Sequence, residues 1–378
     1  MENFTAYNPV KLHFGKNVTD NLWKIAKKYG NKALLIYGKS SAQKHNYLKI
    51  VKSQLQNAEI EVFEYYGIKS NPVVVDATKA VEIARKNNIE LIVAVGGGSV
   101  IDTAKIVSLC VLENLDVWEV VKGVSKPRFA IPLLAVLTLA ATGTEMNPYA
   151  VIQNHETNEK IGFGNELMFP KHSFLDPQFT FSVSEKYTSY GIADIIAHAF
   201  ENYFGYGKSP LSERFAASIV VETMKYAHLV LAEPENYDYR ANIMWQSTCA
   251  LNGTTSHGKA GGDWGVHDIG HILSLLFDTP HGASLSIIYP AWLQHFKDKI
   301  SNKISQLGNM IFGTNDIDLF IEKLKDFFVS INCPVTLQDA GISNDKKDEI
   351  LSVLVKNNAS GFNYKLDKND YEKILSLV

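Results

Sequence analysis

Four histidines and one aspartate in the second half of the chain have the spacing of a metal site. Asp194 and His198 are four residues apart, as are His267 and His271, so each pair would lie on one face of a helix. His281 opens a further apolar segment. A carboxylate and several imidazoles on otherwise apolar elements are typical ligands of a divalent ion such as Zn(II) or Fe(II). Any one of these histidines alone is more simply explained as a core or surface residue.

The concentration of histidines favours the metal interpretation. Of the eleven histidines in the chain, four fall within twenty-five residues, namely His257, His267, His271 and His281. They lie beside a glycine-rich run at 258–265. We therefore expect one divalent ion in this part of the chain.

A second chemically capable group follows the apolar run 91–95. It reads Gly-Gly-Gly-Ser-Val-Ile-Asp-Thr-Ala-Lys over residues 96–105. Glycines at a strand-to-helix turn let a phosphate approach the backbone, and the start of the helix offers free N–H groups. We expect Gly97, Gly98, Ser99 and Asp102 to form a phosphate cradle. The run is neither the G-x-G-x-x-G fingerprint nor a Walker loop, and glycine turns also serve tight packing.

Further polar residues follow other predicted strands and could line a nucleotide. The segment 138–147 is small and rich in hydroxyl groups, and it contains Thr138, Thr142 and Asn147. Asn71 lies in a Ser-Asn-Pro turn, and Lys160 lies on a predicted strand. We include all five among the expected cofactor contacts. For Lys160, an ordinary solvated lysine is an equally good interpretation.

Two kinds of structure must position these groups. Over residues 1–183, apolar runs at 33–37, 60–65, 91–95 and 129–141 alternate with helical segments at 17–30, after Ser41 to Asn57, and at 73–87. This alternation predicts a Rossmann-like, doubly wound α/β domain with a mostly parallel sheet. Over residues 184–378 helical periodicity dominates, which predicts an all-helical domain. Its expected helices are 185–204, 211–231, 239–255, 264–276, 281–296, 317–330 and 345–357.

Composition excludes several classes of protein. A chain of 378 residues exceeds the usual size of a single core, so two domains are expected. The net charge is −3 and no long basic run occurs, which argues against nucleic acid as the main ligand. The longest apolar run, 129–141, is too short for a membrane span, and the N-terminus resembles no secretory signal. Three distant cysteines suggest no disulfide framework, so we expect a cytoplasmic protein.

Taken in order, four motifs resemble those of the iron-containing (group III) alcohol dehydrogenases over nearly the whole chain. They are the Gly-Gly-Gly-Ser-x-x-Asp-x-x-Lys run at 96–105, the Thr-Gly-Thr-Glu segment at 142–145, the Asp194/His198 pair, and His267, His271 and His281-Gly282. The turn at 37–41 and Asn147 are most similar to the butanol-dehydrogenase-like, NADPH-dependent aldehyde reductase branch. Residues 139–141, Leu-Ala-Ala, depart from the Thr-Ala-Gly or Ser-Ala-Gly of many members. This departure loosens the assignment of contacts on that loop.

The resemblance implies both an activity and roles for residues. It implies hydride transfer between a nicotinamide cofactor and a small primary alcohol or aldehyde such as butanol or butanal. Asp194, His198, His267 and His281 would hold one Fe(2+) or Zn(2+) ion, and His271 would be the catalytic, non-ligand histidine near the substrate. Family members are homodimers, which implies pairing through the N-terminal ribbon 7–14.

The turn after the first strand predicts a preference for NADP(H) over NAD(H). NAD-preferring relatives carry an aspartate where this chain has Gly38, which is followed by Lys39, Ser40 and Ser41. No acidic residue occurs between Gly38 and Glu59, so nothing in the turn would repel a 2′-phosphate. A lysine and two hydroxyl groups are suited to binding it. The alternative is a polar turn whose lysine faces solvent.

Two rival functions are open to this sequence. A cyclising lyase similar to dehydroquinate synthase would share the architecture, but it needs several basic residues to hold an acidic phosphorylated substrate. Between Asp194 and His281 the chain offers few, chiefly Lys208, Arg214, Lys225, Arg240 and Lys259. The second rival is a non-catalytic nucleotide- or metal-binding module, and the presence of the whole ligand set and phosphate loop argues against it.

Overall fold

The first half of the chain forms a parallel sheet, as expected, and the second half is helical. The computed structural model describes residues 1–39 and 46–378. The chain divides into two compact units. The sheet unit comprises Tyr7–Val183 and Pro234–Met244, and the helical unit comprises Met1–Ala6, Ser184–Glu233 and Trp245–Val378.

The strands of the described residues are β1 (Lys11–Phe14), β2 (Lys32–Gly38), β3 (Glu61–Ile68), β4 (Leu91–Gly96), β5 (Leu133–Leu137), β6 (Tyr149–Asn154), β7 (Glu159–Gly164) and β8 (His172–Leu175). Six of these form the main sheet, in which all pairs are parallel and the order is β1-β8-β5-β4-β2-β3. Strands β4 and β5 are buried throughout, which explains their continuous apolar runs.

Side chains of β2 alternate between two apolar layers, one on each face of the sheet. Leu34 and Ile36 belong to one cluster, and Ala33 and Leu35 belong to the other. The described helices that cover the faces are α1 (Leu22–Ala26), α2 (Tyr47–Asn57), α3 (Val74–Lys86), α4 (Gly98–Cys110) and α5 (Val117–Val121). The doubly wound arrangement predicted from the alternation of runs is therefore confirmed.

Three local expectations for this unit differ from the structure. The segment 17–30 contains a 3-10 turn (Val18–Asn21) and only a five-residue α-helix, because Asn17 is left-handed and Asn21 is not helical. Lys160 lies on β7, as predicted, but β6 and the separate antiparallel hairpin that the two strands form were not predicted. The N-terminal ribbon begins at Lys11 rather than Tyr7, and it is an edge strand of the main sheet paired with β8.

The helical unit is built around one buried helix. The helices after residue 183 are α6 (Glu185–Phe204), α7 (Pro210–Ala232), α8 (Tyr237–Ala250), α9 (Gly265–Phe277), α10 (His281–Phe296), α11 (Ser301–Phe312), α12 (Ile317–Ser330), α13 (Lys347–Asn357) and α14 (Lys368–Ser376). Helix α6 is capped by the Ser184 hydroxyl and is buried on all sides from Thr188 to Phe204, as expected for a core helix. Helices α11 and α14 were not predicted from the sequence, and the predicted end of α8, residue 255, lies five residues beyond its actual end at Ala250.

Helix α7 is long and apolar enough to cross a membrane by length and composition alone. Long helices packed inside a globular unit pass the same test. This helix packs along α6 and carries Glu213, Arg214, Glu222 and Lys225 on its other faces.

Candidate active site

Helix α6 presents three polar side chains on one buried face. Asp194, His198 and Glu201 are separated by four and three residues, so they lie along one stripe of the helix. Each is at most 4% exposed. Buried ionisable groups need partners, and here the partners come from α9 and α10.

A glycine lets α10 approach α6 closely enough to deliver His281. His281 is the first residue of α10, and Gly282 follows it. A Cβ atom on Gly282 would lie 1.9 Å from the carbonyl oxygen of Tyr190 on α6, which no side chain could tolerate. The His-Gly pair therefore places an imidazole beside Asp194 through close contact of two backbones.

The nitrogen atoms of three histidines surround one carboxylate oxygen. Asp194 Oδ1 lies 3.6 Å from His198 Nδ1, 3.9 Å from His267 Nε2 and 3.7 Å from His281 Nε2. These separations are too long for hydrogen bonds. Ligand atoms sharing one ion at metal distances of about 2.0–2.2 Å lie roughly 3–4 Å apart, so the spacing suits a common ion.

The burial of this cluster supports the same fit. Within residues 1–39 and 46–378, no hydrogen-bond partner is present for Asp194 Oδ1 or His267 Nε2, although both atoms are buried. Ligand atoms of Asp194, His267 and His281 all lie within 4.8 Å of one another. A cation between them would satisfy polar atoms that water does not reach.

The other two histidines adjoin this trio. The His198 ring stacks on the His267 ring, with centroids 4.9 Å apart. The His271 ring lies 5.4 Å from that of His281 and 6.4 Å from that of His267. All five residues expected at the metal site are thus brought together, with His271 on the His281 side.

The site carries an excess of negative charge. Burial by itself lowers the pKa of His267, but the Asp194 and Glu201 carboxylates outweigh burial and raise that pKa to about 9. Burial and the Glu201 charge raise the pKa of Asp263 to about 7, against backbone N–H groups that lower it. Such a field favours binding of a divalent cation.

The expected phosphate cradle has an uncapped helix start. Helix α4 begins at Gly98, and its N-cap residue Gly97 has no side chain that could accept from the first turn. The Val100 N–H donates to the Gly97 carbonyl, whereas the first two N–H groups of a helix, here those of Gly98 and Ser99, have no acceptor within the helix and can bind an anion. A Cβ on Gly98 would lie 2.6 Å from Thr142 Cγ2, and one on Gly97 would lie 3.0 Å from Leu139 Cβ. The two expected cofactor loops therefore pack directly on each other.

Asp102 and Asn147 hold a turn beside the expected cradle in place. The Asp102 carboxylate accepts from Thr144 Oγ1 (2.6 Å) and from the Val151 N–H (2.9 Å). Asn147 Oδ1 accepts from Lys105 Nζ and from the Tyr149 N–H. Both residues are buried and hold the turn 144–149 in place. These contacts give both residues a supporting role, and the expectation that they also contact the cofactor stays a prediction.

The remaining expected cofactor residues lie as follows. Thr138 donates its N–H to the Gly96 carbonyl, so it adjoins the cradle. Lys160 Nζ donates to Asn71 Oδ1 at 2.9 Å, and the Ser99 hydroxyl donates to the Ser70 carbonyl. Gly38 ends β2 and Lys39 is exposed beyond it. Ser40 and Ser41 lie outside the described residues.

Comparison with known proteins agrees with this geometry. Residues 9–177 match the family model described as iron-containing alcohol dehydrogenase, and residues 188–377 match the model of the C-terminal part of the same family. The chain belongs to the iron-containing alcohol dehydrogenase family. It is an alcohol dehydrogenase, in a family that uses a nicotinamide cofactor and a divalent metal.

Individual relatives refine the comparison. The chain is 38% identical to the probable NADH-dependent butanol dehydrogenase 1 of Bacillus subtilis, over 99% of both chains. It is 32% identical to the NADPH-dependent aldehyde reductase YqhD of Escherichia coli, over 94% of this chain and 93% of that protein. The structure of NADH-dependent butanol dehydrogenase A from Thermotoga maritima superimposes with a TM-score of 0.96 at 36% identity, covering 100% of this chain and 98% of that one.

These relatives do not support the predicted preference of this alcohol dehydrogenase for NADP(H). The relatives of higher identity named here are called NADH-dependent, and the NADPH-dependent reductase is more distant. The preference for NADP(H) that was predicted from Gly38, Lys39 and the two serines is therefore not supported by these comparisons.

Two residues beside the proposed metal ligands were not predicted from the sequence. Glu201 contacts His267, and the Trp264 ring lies 5.1 Å from the His267 ring. The spacing of Glu201 from Asp194 and His198 could have indicated it, because all three fall on one helical face. Trp264 carried no comparable signal.

Proposed function

We propose that this chain is a metal-dependent alcohol dehydrogenase and aldehyde reductase acting on small primary alcohols and aldehydes such as butanol and butanal. The observation that carries the proposal is the convergence of three imidazole nitrogens on Asp194 Oδ1. In the oxidative direction the alcohol loses a hydride to the nicotinamide and a proton from its hydroxyl group. The reverse reaction reduces the aldehyde.

In this proposal Asp194, His198, His267 and His281 hold the divalent ion, iron(II) or zinc(II). A divalent ion held there supplies Lewis acidity toward the oxygen of an alcohol or carbonyl group. His271 adjoins the ligands but is not among the three histidines whose nitrogens lie 3.6–3.9 Å from Asp194 Oδ1, and we assign it the hydroxyl proton. A neutral imidazole can accept that proton and the imidazolium can release it, as in general acid–base catalysis.

The cofactor is a nicotinamide dinucleotide, and we propose that NADPH is accepted as well as NADH. The uncapped start of α4 offers N–H groups to the pyrophosphate. Gly38 and Lys39 present no carboxylate to a 2′-phosphate. The names of the relatives include both cofactors, which supports tolerance rather than strict choice.

The hydrogen bonds of two buried basic residues argue against the rival lyase. Lys259 is buried and donates to the Tyr203 carbonyl (2.7 Å) and to Glu213 (3.1 Å). Arg240 is buried and donates to the Pro234 carbonyl at 2.6 Å. Two of the five basic residues that such an enzyme could use thus bind groups of the protein itself.

We further propose that the protein is a cytoplasmic homodimer, as the resemblance to the family implies.

Metal analysis of variants tests the ligand assignment. His267→Ala should lose nearly all bound metal and all turnover of butanal with NAD(P)H, because a ligand is removed from the centre of the cluster. His271→Ala should retain the metal and lose rate. Retention of metal and activity by His267→Ala would refute the site. Loss of metal from His271→Ala would show that the two histidines have exchanged roles.

A further inference from the structure

Glu201 is a buried carboxylate aimed at the beginning of α9. It lies on α6, three residues after His198, and is 1% exposed. Its Oε1 accepts from the His267 N–H at 3.1 Å and adjoins the ring Nδ1 of His267 at 2.8 Å. Its Oε2 accepts from the Trp264 N–H at 2.5 Å. One side chain therefore contacts both the backbone and the ring of a proposed metal ligand.

These contacts replace the cap that α9 lacks. The N-cap residue Trp264 is left-handed (φ 68°) and its side chain makes no capping hydrogen bond. A bulky residue is strained in this conformation, so other contacts must hold it. Glu201 supplies an acceptor and a negative charge at the positive end of the helix dipole. The position of His267 in the first turn of α9 thus depends on a residue of another helix.

The ring contact decides which nitrogen of His267 faces the cluster. A carboxylate accepts, so the proton of a neutral His267 ring must sit on Nδ1 for this contact to be a hydrogen bond. Nε2 is then left with its lone pair, 3.9 Å from Asp194 Oδ1. Histidines that bind metals commonly donate their other N–H to a carboxylate in this way, which fixes the ring and increases its basicity.

We propose that Glu201 is the positioning residue of the metal site, setting the tautomer and orientation of His267 and compensating part of the charge of the ion. This inference rests on the proposed function, since it assumes that His267 binds metal. It assigns Glu201 no contact with substrate or cofactor.

The test is the affinity of the metal-free protein for zinc, measured by competition with a chromophoric chelator. Glu201→Gln keeps the shape of the side chain and can still accept a hydrogen bond, but it removes the charge. We expect its zinc affinity to fall about 10–100-fold, the usual effect of losing such a partner. Glu213→Gln is the matched control, because Glu213 is a partly buried carboxylate of the same unit bound by Lys259 and Lys303. Its zinc affinity should equal that of the wild type.

The outcomes separate this inference from the proposed function. Failure of wild-type protein to bind zinc, or full binding by His267→Ala, would overturn the proposed function. Zinc binding that depends on His267 but is unchanged in Glu201→Gln would overturn the role of Glu201 alone.

A second measurement applies if Glu201→Gln does not fold. In zinc-loaded wild-type protein, nitrogen-15 NMR should show a proton on His267 Nδ1 and a metal-bound Nε2, assigned by the signals lost in His267→Asn. A proton on Nε2, or zinc bound through Nδ1, would refute the inference.

Discussion

Replacing Lys105 with methionine should destabilise the protein, because Lys105 holds the turn 144–149 beside the phosphate cradle. Lys105 is completely buried, and its ammonium group donates to Thr144 Oγ1 (2.7 Å), to the Asn147 carbonyl (2.8 Å) and to the Tyr149 carbonyl (2.7 Å). Burial lowers the pKa of Lys105 to about 8, while the Asp102 and Glu145 carboxylates oppose that shift, so the group is mainly charged at pH 7.

The expected loss in the free energy of unfolding depends on the groups that lose Lys105 as their partner. Methionine fills a similar volume but takes the ammonium donor away from the buried Asn147 carbonyl and the partly buried Tyr149 carbonyl, at up to about 1–3 kcal/mol each. It also removes the cation that faces the buried Asp102 and Glu145 charges. Breaking a buried charged arrangement from one side typically costs about 3–5 kcal/mol, and we expect a loss in that range. For a unit of this size, about 2–4 °C per kcal/mol converts this loss to a drop in Tm of roughly 6–20 °C.

Differential scanning calorimetry of the purified protein at pH 7 measures this change. Lys32→Met is the matched control, because Lys32 lies 3.8 Å from Glu61 in a pair whose side chains are 40% and 60% exposed. Such surface pairs contribute about 0–1 kcal/mol, so the control should melt within a few degrees of the wild type. A Lys105→Met protein that melts as the control does would refute the supporting role given to Asp102, Lys105 and the turn 144–149.

The remaining predictions concern the cofactor, the dimer and the metal. Gly38→Asp should weaken NADPH relative to NADH by roughly 2–4 kcal/mol, from lost hydrogen bonds and new repulsion, and kcat/KM for both cofactors measures it. A Cβ there meets only ordinary contacts, 3.6 Å from the Ile68 carbonyl oxygen, so an unchanged ratio would show that Gly38 does not face the 2′-phosphate. Deleting residues 1–14 removes β1 from the edge of the sheet and should give monomers or insoluble protein in light scattering, whereas an active dimer would exclude pairing through this strand. Chelation of the metal should lower the Tm by an amount equivalent to about 4 kcal/mol relative to protein in free zinc at a thousand times its Kd, and equal melting curves would argue against a specific ion.

Local sequence patterns predicted most of the elements and the main site. The apolar runs at 33–37 and 91–95 became buried strands, and the helices 185–204, 281–296 and 317–330 have the predicted ends. These successes share a cause, since strand and helix periods are local properties of a few consecutive residues. The same periodicity placed Asp194 with His198 and His267 with His271. Short or polar elements such as β8 and α14 have weak periodicity, so no local pattern indicated them.

Motif spacing was less reliable for the roles of residues within a motif. Asp102 falls in the glycine-rich run, so proximity in sequence suggested proximity to the cofactor. In the structure its side chain accepts hydrogen bonds from Thr144 and from the Val151 N–H of β6, which no local pattern indicated. A helix start directs its backbone N–H groups to a ligand, whereas side chains one turn later pack against whatever lies beside the helix.

The sequence by itself determined the family, the two kinds of structure and the residue types able to bind a metal. Only the tertiary structure decided how His267 is oriented, because its partner Glu201 lies 66 residues earlier on another helix. It also showed why a glycine follows His281, since the limiting contact is with the Tyr190 carbonyl of α6. Periodicity specifies which face of a helix is polar, but the approach of two helices depends on contacts between residues distant in sequence. For that reason the proposed ligands could be predicted from their spacing, while Glu201, which we propose positions one of them, could not.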